Sequence, residues 1–88
     1  MNRGRRKALR GIVRKLEQME ELQAEIRDLL EQVRGEETEA LESMPESLQG
    51  SERGQQMQEY IDTMADVLDD LDLMAIDDLI SALGEITG

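Results

Sequence analysis

Nearly all the side chains here that could do chemistry are carboxylates. Asp62, Asp66, Asp69 and Asp70 recur at short intervals, and Glu17, Glu20, Glu21, Glu25 and Asp28 form a second group. On a helix, residues three and four apart are neighbours, so each group would array its charge along a rod. A paired-carboxylate hydrolase needs one carboxyl whose pKa is raised in a cleft, and long helices offer none. A weak divalent cation site at Asp62, Asp66, Asp69 and Asp70 would need converging oxygens. The nearby run DDLDLMAIDD lacks the glycine and terminal bidentate glutamate of a helix-loop-helix calcium loop, and di-metal sites in helical bundles recruit histidine. A regular line of negative charge can also imitate a nucleic-acid backbone and fit a basic protein groove. The bland reading of the same residues is a solvated face.

Other chemistries fall by elimination. The chain has no His and no Cys, so the commonest general base and the thiol nucleophile are missing, and Ser43, Ser47, Ser51 and Ser81 have no imidazole to activate them. Lys7 and Lys15 lie in a cationic segment, a poor setting for a nucleophilic amine. The expectation is a protein without catalytic activity, metal or cofactor. Met19, Met44, Met57, Met64 and Met74 could supply an adaptable binding surface, although methionine more often fills a core.

Charge is divided sharply along the chain. Arg3, Arg5, Arg6, Lys7, Arg10, Arg14 and Lys15 stand in the first fifteen residues without an acid. The remainder holds all 21 acids against Arg27, Arg34 and Arg53, and the net charge is −11. The acidic body repels nucleic acid and membrane surfaces and favours a basic protein partner. The N-terminal arm, above all Arg3, Arg5, Arg6, Lys7, Arg10 and Arg14, could instead hold nucleic acid or an anionic membrane surface. It has no aromatic residue to stack on bases. No apolar stretch is long enough to span a membrane and none has the form of a signal peptide, so a soluble, cytoplasmic protein is expected.

The elements that position these groups are helices. Only Tyr60 is aromatic, and the apolar set is mostly Leu, Ile, Met, Val and Ala, which disfavours a β-sandwich or barrel. Leu9, Leu16 and Leu30 occupy one heptad position and Ile12, Met19, Ile26 and Val33 another, a coiled-coil seam interrupted by Gln23. This predicts helix 1 over about 5–43, passing Gly35. Residues 44–51 form the connection, where Pro45 suits the start of a short helical piece, Gly50 its end and Ser51 an N-cap. Helix 2 then covers about 52–85, with a stripe at Met57, Ile61, Met64, Leu68, Leu71, Ala75, Leu79, Leu83 and Ile86. The predicted fold is all-α: a single domain over 1–88 built as an antiparallel two-helix hairpin, coiled-coil-like.

Closing that hairpin gives apolar pairs throughout. Leu9 meets Ile86, Ile12 meets Leu83, Leu16 meets Leu79, Met19 meets Ile76, Ile26 meets Leu68, Leu30 meets Met64 and Val33 meets Ile61, while Gln23 falls near Asp72. Arg10, Arg14 and Lys15 would face Asp77, Asp78 and Glu85, relieving helix ends whose charges oppose the local dipole. Val13, Leu22, Leu29, Tyr60, Val67, Leu73, Met74 and Ile80 lie beyond the seam. Two copies could bury this surplus as a four-helix bundle, or a partner could cover it. The functional expectations are therefore an acidic module docking on a basic protein, a nucleic-acid-associated protein using the arm, or a structural homo-oligomer.

The run MPESLQGSERGQQMQEYIDTMADVLDDLD, within residues 38–72, resembles small acidic helical-hairpin proteins of unknown function encoded by phages and mobile elements of Gram-positive bacteria. Pro45, Leu48, Ser51, Arg53 and Gly54 are the matching positions; the basic start and the C-terminal DLDLMAIDDLISALGEITG match less well. The resemblance implies a phage accessory protein, acting in the host cell, that disables a nucleic-acid-handling defence factor.

Overall fold

A computed structural model of the chain describes residues 1–87. Among them there is no strand, and the order is α1 (Arg3–Glu42), α2 (Glu46–Gln49), α3 (Glu52–Leu73) and α4 (Ile76–Thr87). Helix α1 begins earlier than the apolar pattern suggests because Asn2 caps it, its side-chain oxygen accepting from the Arg5 amide at 2.8 Å. It continues through Gly35, where an added Cβ would meet nothing within 4 Å.

The connection is hydrogen-bonded rather than loose. The Leu48 and Gln49 amides donate to the Pro45 carbonyl, making the single turn α2. The Gln49 side-chain amide donates to the Met44 carbonyl at 2.9 Å and to the Glu42 carbonyl at 3.4 Å, the latter one of the groups that α1 leaves unsatisfied where it ends. Ser51 caps α3, its hydroxyl accepting from the Gly54 amide at 3.3 Å. Gly54 is buried within the first turn of α3. A Cβ there would stand 2.1 Å from the Gln49 carbonyl oxygen and 2.7 Å from that of Leu48, so only glycine lets α2 lie this close to α3.

The chain contains two compact units: Met1–Glu25 with the chain from Met74 onward, and Ile26–Leu73. In the second unit Ile61 and Leu68 of α3 are buried, and Leu30, Leu41, Met44, Met57, Met64 and Leu71 are half-buried. In the first unit Ile76 is buried, and Leu9, Val13, Leu16, Ile80 and Leu83 are half-buried.

Two sequence expectations are corrected. The first concerns helix 2, expected unbroken over 52–85. It is interrupted at Met74 and Ala75, where the Ile76 amide donates to the Met74 carbonyl and the Asp78 amide to that of Ala75. Ile61 and Leu68 are seven apart, and unbroken helix would offer the small Ala75 next. The interruption slips the phase by one residue, so that Ile76 is buried instead. Ile80, Leu83 and Thr87 follow as the shielded side of α4, and Leu79 and Ile86 are left exposed. It also places Asp77 and Asp78 in the first turn of a new helix, where negative charge is favourable rather than opposed.

The second concerns the seam. Leu9, Leu16 and Leu30 are shielded as expected, but Ile12, Met19, Ile26 and Val33 are exposed. The second shielded position lies four residues after the first, at Val13, Arg27, Arg34 and Leu41, with Glu20 exposed between Val13 and Arg27. The two arginines can occupy it because their stems pack while their heads stay paired: Arg27 with Asp72 at 2.7 Å, Arg34 with Glu31.

Replacing Gly54 with alanine should lower stability by about 1–3 kcal/mol, the usual cost of forcing atoms into a filled site. Gly35→Ala, in open space, should raise it by up to about 1 kcal/mol. Urea unfolding followed by circular dichroism checks both signs.

Candidate binding surfaces

Helix α1 presents three faces. Its shielded line runs through Leu9, Leu16, Gln23 and Leu30. The exposed apolar residues Ile12, Met19, Leu22, Ile26, Leu29 and Val33 lie roughly a quarter-turn from that line at about 100° per residue, and Leu22 and Leu29 are 56% and 64% exposed. Glu17, Glu21 and Asp28 fall on the side roughly opposite this apolar stripe, and Glu20 and Glu25 lie toward its two edges.

All five of these carboxylates are exposed, as are Asp62, Asp66, Asp69 and Asp70 on α3. Asp62 accepts a hydrogen bond from the Gln58 amide at 2.9 Å. The other eight make no hydrogen bond or ion pair among the described residues. No group of three or more metal-ligating side chains converges among the described residues, so the α3 aspartates stand as separate charges.

The cationic arm is equally open. Arg3, Arg5, Arg6, Lys7, Arg10, Arg14 and Lys15 are exposed. The expected pairing of Arg10, Arg14 and Lys15 with Asp77, Asp78 and Glu85 does not form: among the described residues the ion pairs are Arg27–Asp72 and Arg34–Glu31. The break before α4 removes one reason for that pairing, since Asp77 and Asp78 already sit at a favourable helix start.

Polar contacts cluster around the middle of α1. Asp72, expected beside Gln23, is instead taken by Arg27, one turn further along α1, with bonds of 2.7 and 3.3 Å. Gln23 donates its side-chain amide to the Met74 carbonyl at 3.2 Å, one of the groups exposed by the helix interruption. The polar residue in the seam thus serves the backbone where the second run breaks. The signal was present in the sequence as a glutamine among leucines, but the break that explains it carries no Gly or Pro to announce it.

A concavity at the start of α3 is lined by Ser51, Glu52, Arg53, Gln55, Gln56 and Glu59. It is open and polar, and no helix of the described residues is long and apolar enough to cross a membrane. No protein-family model, curated protein or solved structure matches the chain.

The hydrogen bond from Arg27 holds the Asp72 carboxyl below the usual aspartate range, desolvation opposing it and the arginine charge adding to it. A depressed folded-state pKa stabilises above the unfolded value, and that contribution is lost as pH falls from about 4 through the folded value. Followed by NMR, Asp72 should titrate below the ordinary aspartate range, and Arg27→Gln should move it back upward. An Asp72 titration indifferent to Arg27 would show that the pair is unpopulated in solution.

Proposed function

We propose that the chain folds back as an antiparallel helical hairpin and acts as a non-enzymatic binding protein, docking its acidic helical face onto a protein partner with a basic surface. The observation that carries this reading is the set of nine exposed carboxylates on α1 and α3, eight of them without a hydrogen-bonding or ion-pairing partner among the described residues. Exposed like charges on a rod cost a monomer self-repulsion and give it long-range attraction for a complementary surface. The hairpin is supported by the Arg27–Asp72 pair and the Gln23 bond to the Met74 carbonyl, each joining α1 to the second helical run. The resemblance of residues 38–72 to phage-encoded acidic helical proteins makes a host nucleic-acid-handling factor the first class of partner to try.

A second reading, a nucleic-acid-associated protein using Arg3, Arg5, Arg6, Lys7, Arg10 and Arg14, is favoured by the exposure of the arm and its lack of carboxylate partners.

The two separate in one experiment. The immobilised chain should capture a basic protein from an extract of the source cell at low salt and release it as salt rises, since screening acts over about 8 Å at physiological ionic strength. Changing Glu17, Glu20, Glu21, Glu25 and Asp28 to their amides should abolish capture, and removing residues 1–8 should leave it intact. Equal capture by the neutralised variant contradicts the acidic-face reading. Salt-sensitive retention of duplex DNA or RNA, lost on truncation, supports the arm.

A further inference from the structure

The apolar stripe on α1 is a second surface, distinct from the acidic face, and its spacing names its partner. Met19, Leu22, Ile26, Leu29 and Val33 follow one another at intervals of three, four, three and four, and Ile12 extends the row by one heptad. That is the alternation of a coiled-coil seam, whose knobs require a facing helix. All six side chains are exposed, so the chain's own helices do not fill this seam. We infer that it is filled by α1 of a second copy running antiparallel, so that two chains associate through their first helices.

Three observations choose a second copy and this direction. Met19, Leu22, Ile26 and Leu29, spaced three, four and three, read the same from either end, so this stretch is complementary to itself under a two-fold axis, the commonest symmetry of protein dimers. The seam positions that extend it at its two ends are charged, Lys15 near the start and Glu36 at the finish. A parallel pair in register would set Lys15 on Lys15 and Glu36 on Glu36. An antiparallel pair that sets Ile26 against Leu22 and Met19 against Leu29 of the other copy brings each Lys15 within a turn of the other chain's Glu36. The same register lays the cationic segment 3–15 beside residues 33–45 of the second copy, which carry Glu36, Glu37, Glu39 and Glu42 against Arg34 alone. Among the described residues Arg3, Arg5, Arg6, Lys7, Arg10, Arg14 and Lys15 form no ion pair, and this arrangement supplies acids.

The test uses the full chain, which has no cysteine of its own. By sedimentation the wild type should be a dimer. Ile12→Cys mixed with Glu36→Cys should oxidise to a mixed disulfide, because the two positions meet across the antiparallel seam. Ile12→Cys alone should not cross-link, its two copies standing roughly 36 Å apart at 1.5 Å per residue. Leu22→Glu with Leu29→Glu should weaken association at least roughly tenfold by placing unpartnered carboxylates in the seam, with helix content unchanged by circular dichroism. Should that variant unfold, the cysteine mixture still decides. A strict monomer at high concentration overturns the inference, as does a homodisulfide of Ile12→Cys, or a Leu22, Leu29 variant that dimerises like the wild type. The acidic-face variant should keep the dimer mass, so failure of partner capture and failure of self-association are read separately.

Discussion

Scarcity of buried apolar surface constrains everything else in this molecule. Ile61, Leu68 and Ile76 are the buried hydrophobic side chains among the described residues, each contributing about 1.5–3 kcal/mol when fully withdrawn from water. A domain of this size is marginal even with a well-filled core, and no disulfide is available, since the chain has no cysteine. Local devices therefore carry an unusual share of its order: the Asn2 and Ser51 caps, the Gln49 bonds at the end of α1, and the glycine that lets α2 lie on α3. Each acts within a few residues, where the entropic cost of closure is small.

The same scarcity explains the interruption in the second helical run. Continuing the helix would have presented Ala75 where a large side chain can be buried, and would have kept Asp77 and Asp78 inside a helix whose end they disfavour. Breaking at Met74 and Ala75 gives up local backbone bonds. It gains the burial of Ile76 and a favourable acidic start for α4, and Gln23 adds a second donor to the Met74 carbonyl, which already accepts from the Ile76 amide. Gln23 and Arg27 together make the middle of α1 a polar junction in an otherwise aliphatic line, and polar groups at such positions fix register at some cost in stability.

The sequence announced the helices, the connection and the cap at Ser51 clearly, because these depend on composition and on side chains acting on adjacent backbone. What it did not disclose was which apolar positions of α1 are shielded. After Leu9, Leu16 and Leu30 the offset of three is apolar, whereas the offset of four runs through Val13, Glu20, Arg27, Arg34 and Leu41, so hydrophobicity selects the first. The structure shields the four-residue choice, in which Arg27 and Arg34 take part, and a hydrophobic pattern cannot rank an arginine stem above an isoleucine. The interruption at Met74 was hidden for a related reason, since neither Met74 nor Ala75 is a helix breaker. With the internal face turned by roughly an eighth of a turn, half the angle between offsets of three and four, the row from Ile12 to Val33 changes meaning, from core of the single chain to exposed surface.

A chain with so small an internal core and so regular an exposed row should owe much of its stability to association. Thermal unfolding recorded over a wide range of protein concentration tests this most directly. If copies assemble on folding, mass action makes the unfolding midpoint climb steadily with concentration. A midpoint that stays fixed from dilute to concentrated solution would mean that the single chain is stable alone, and would contradict the account.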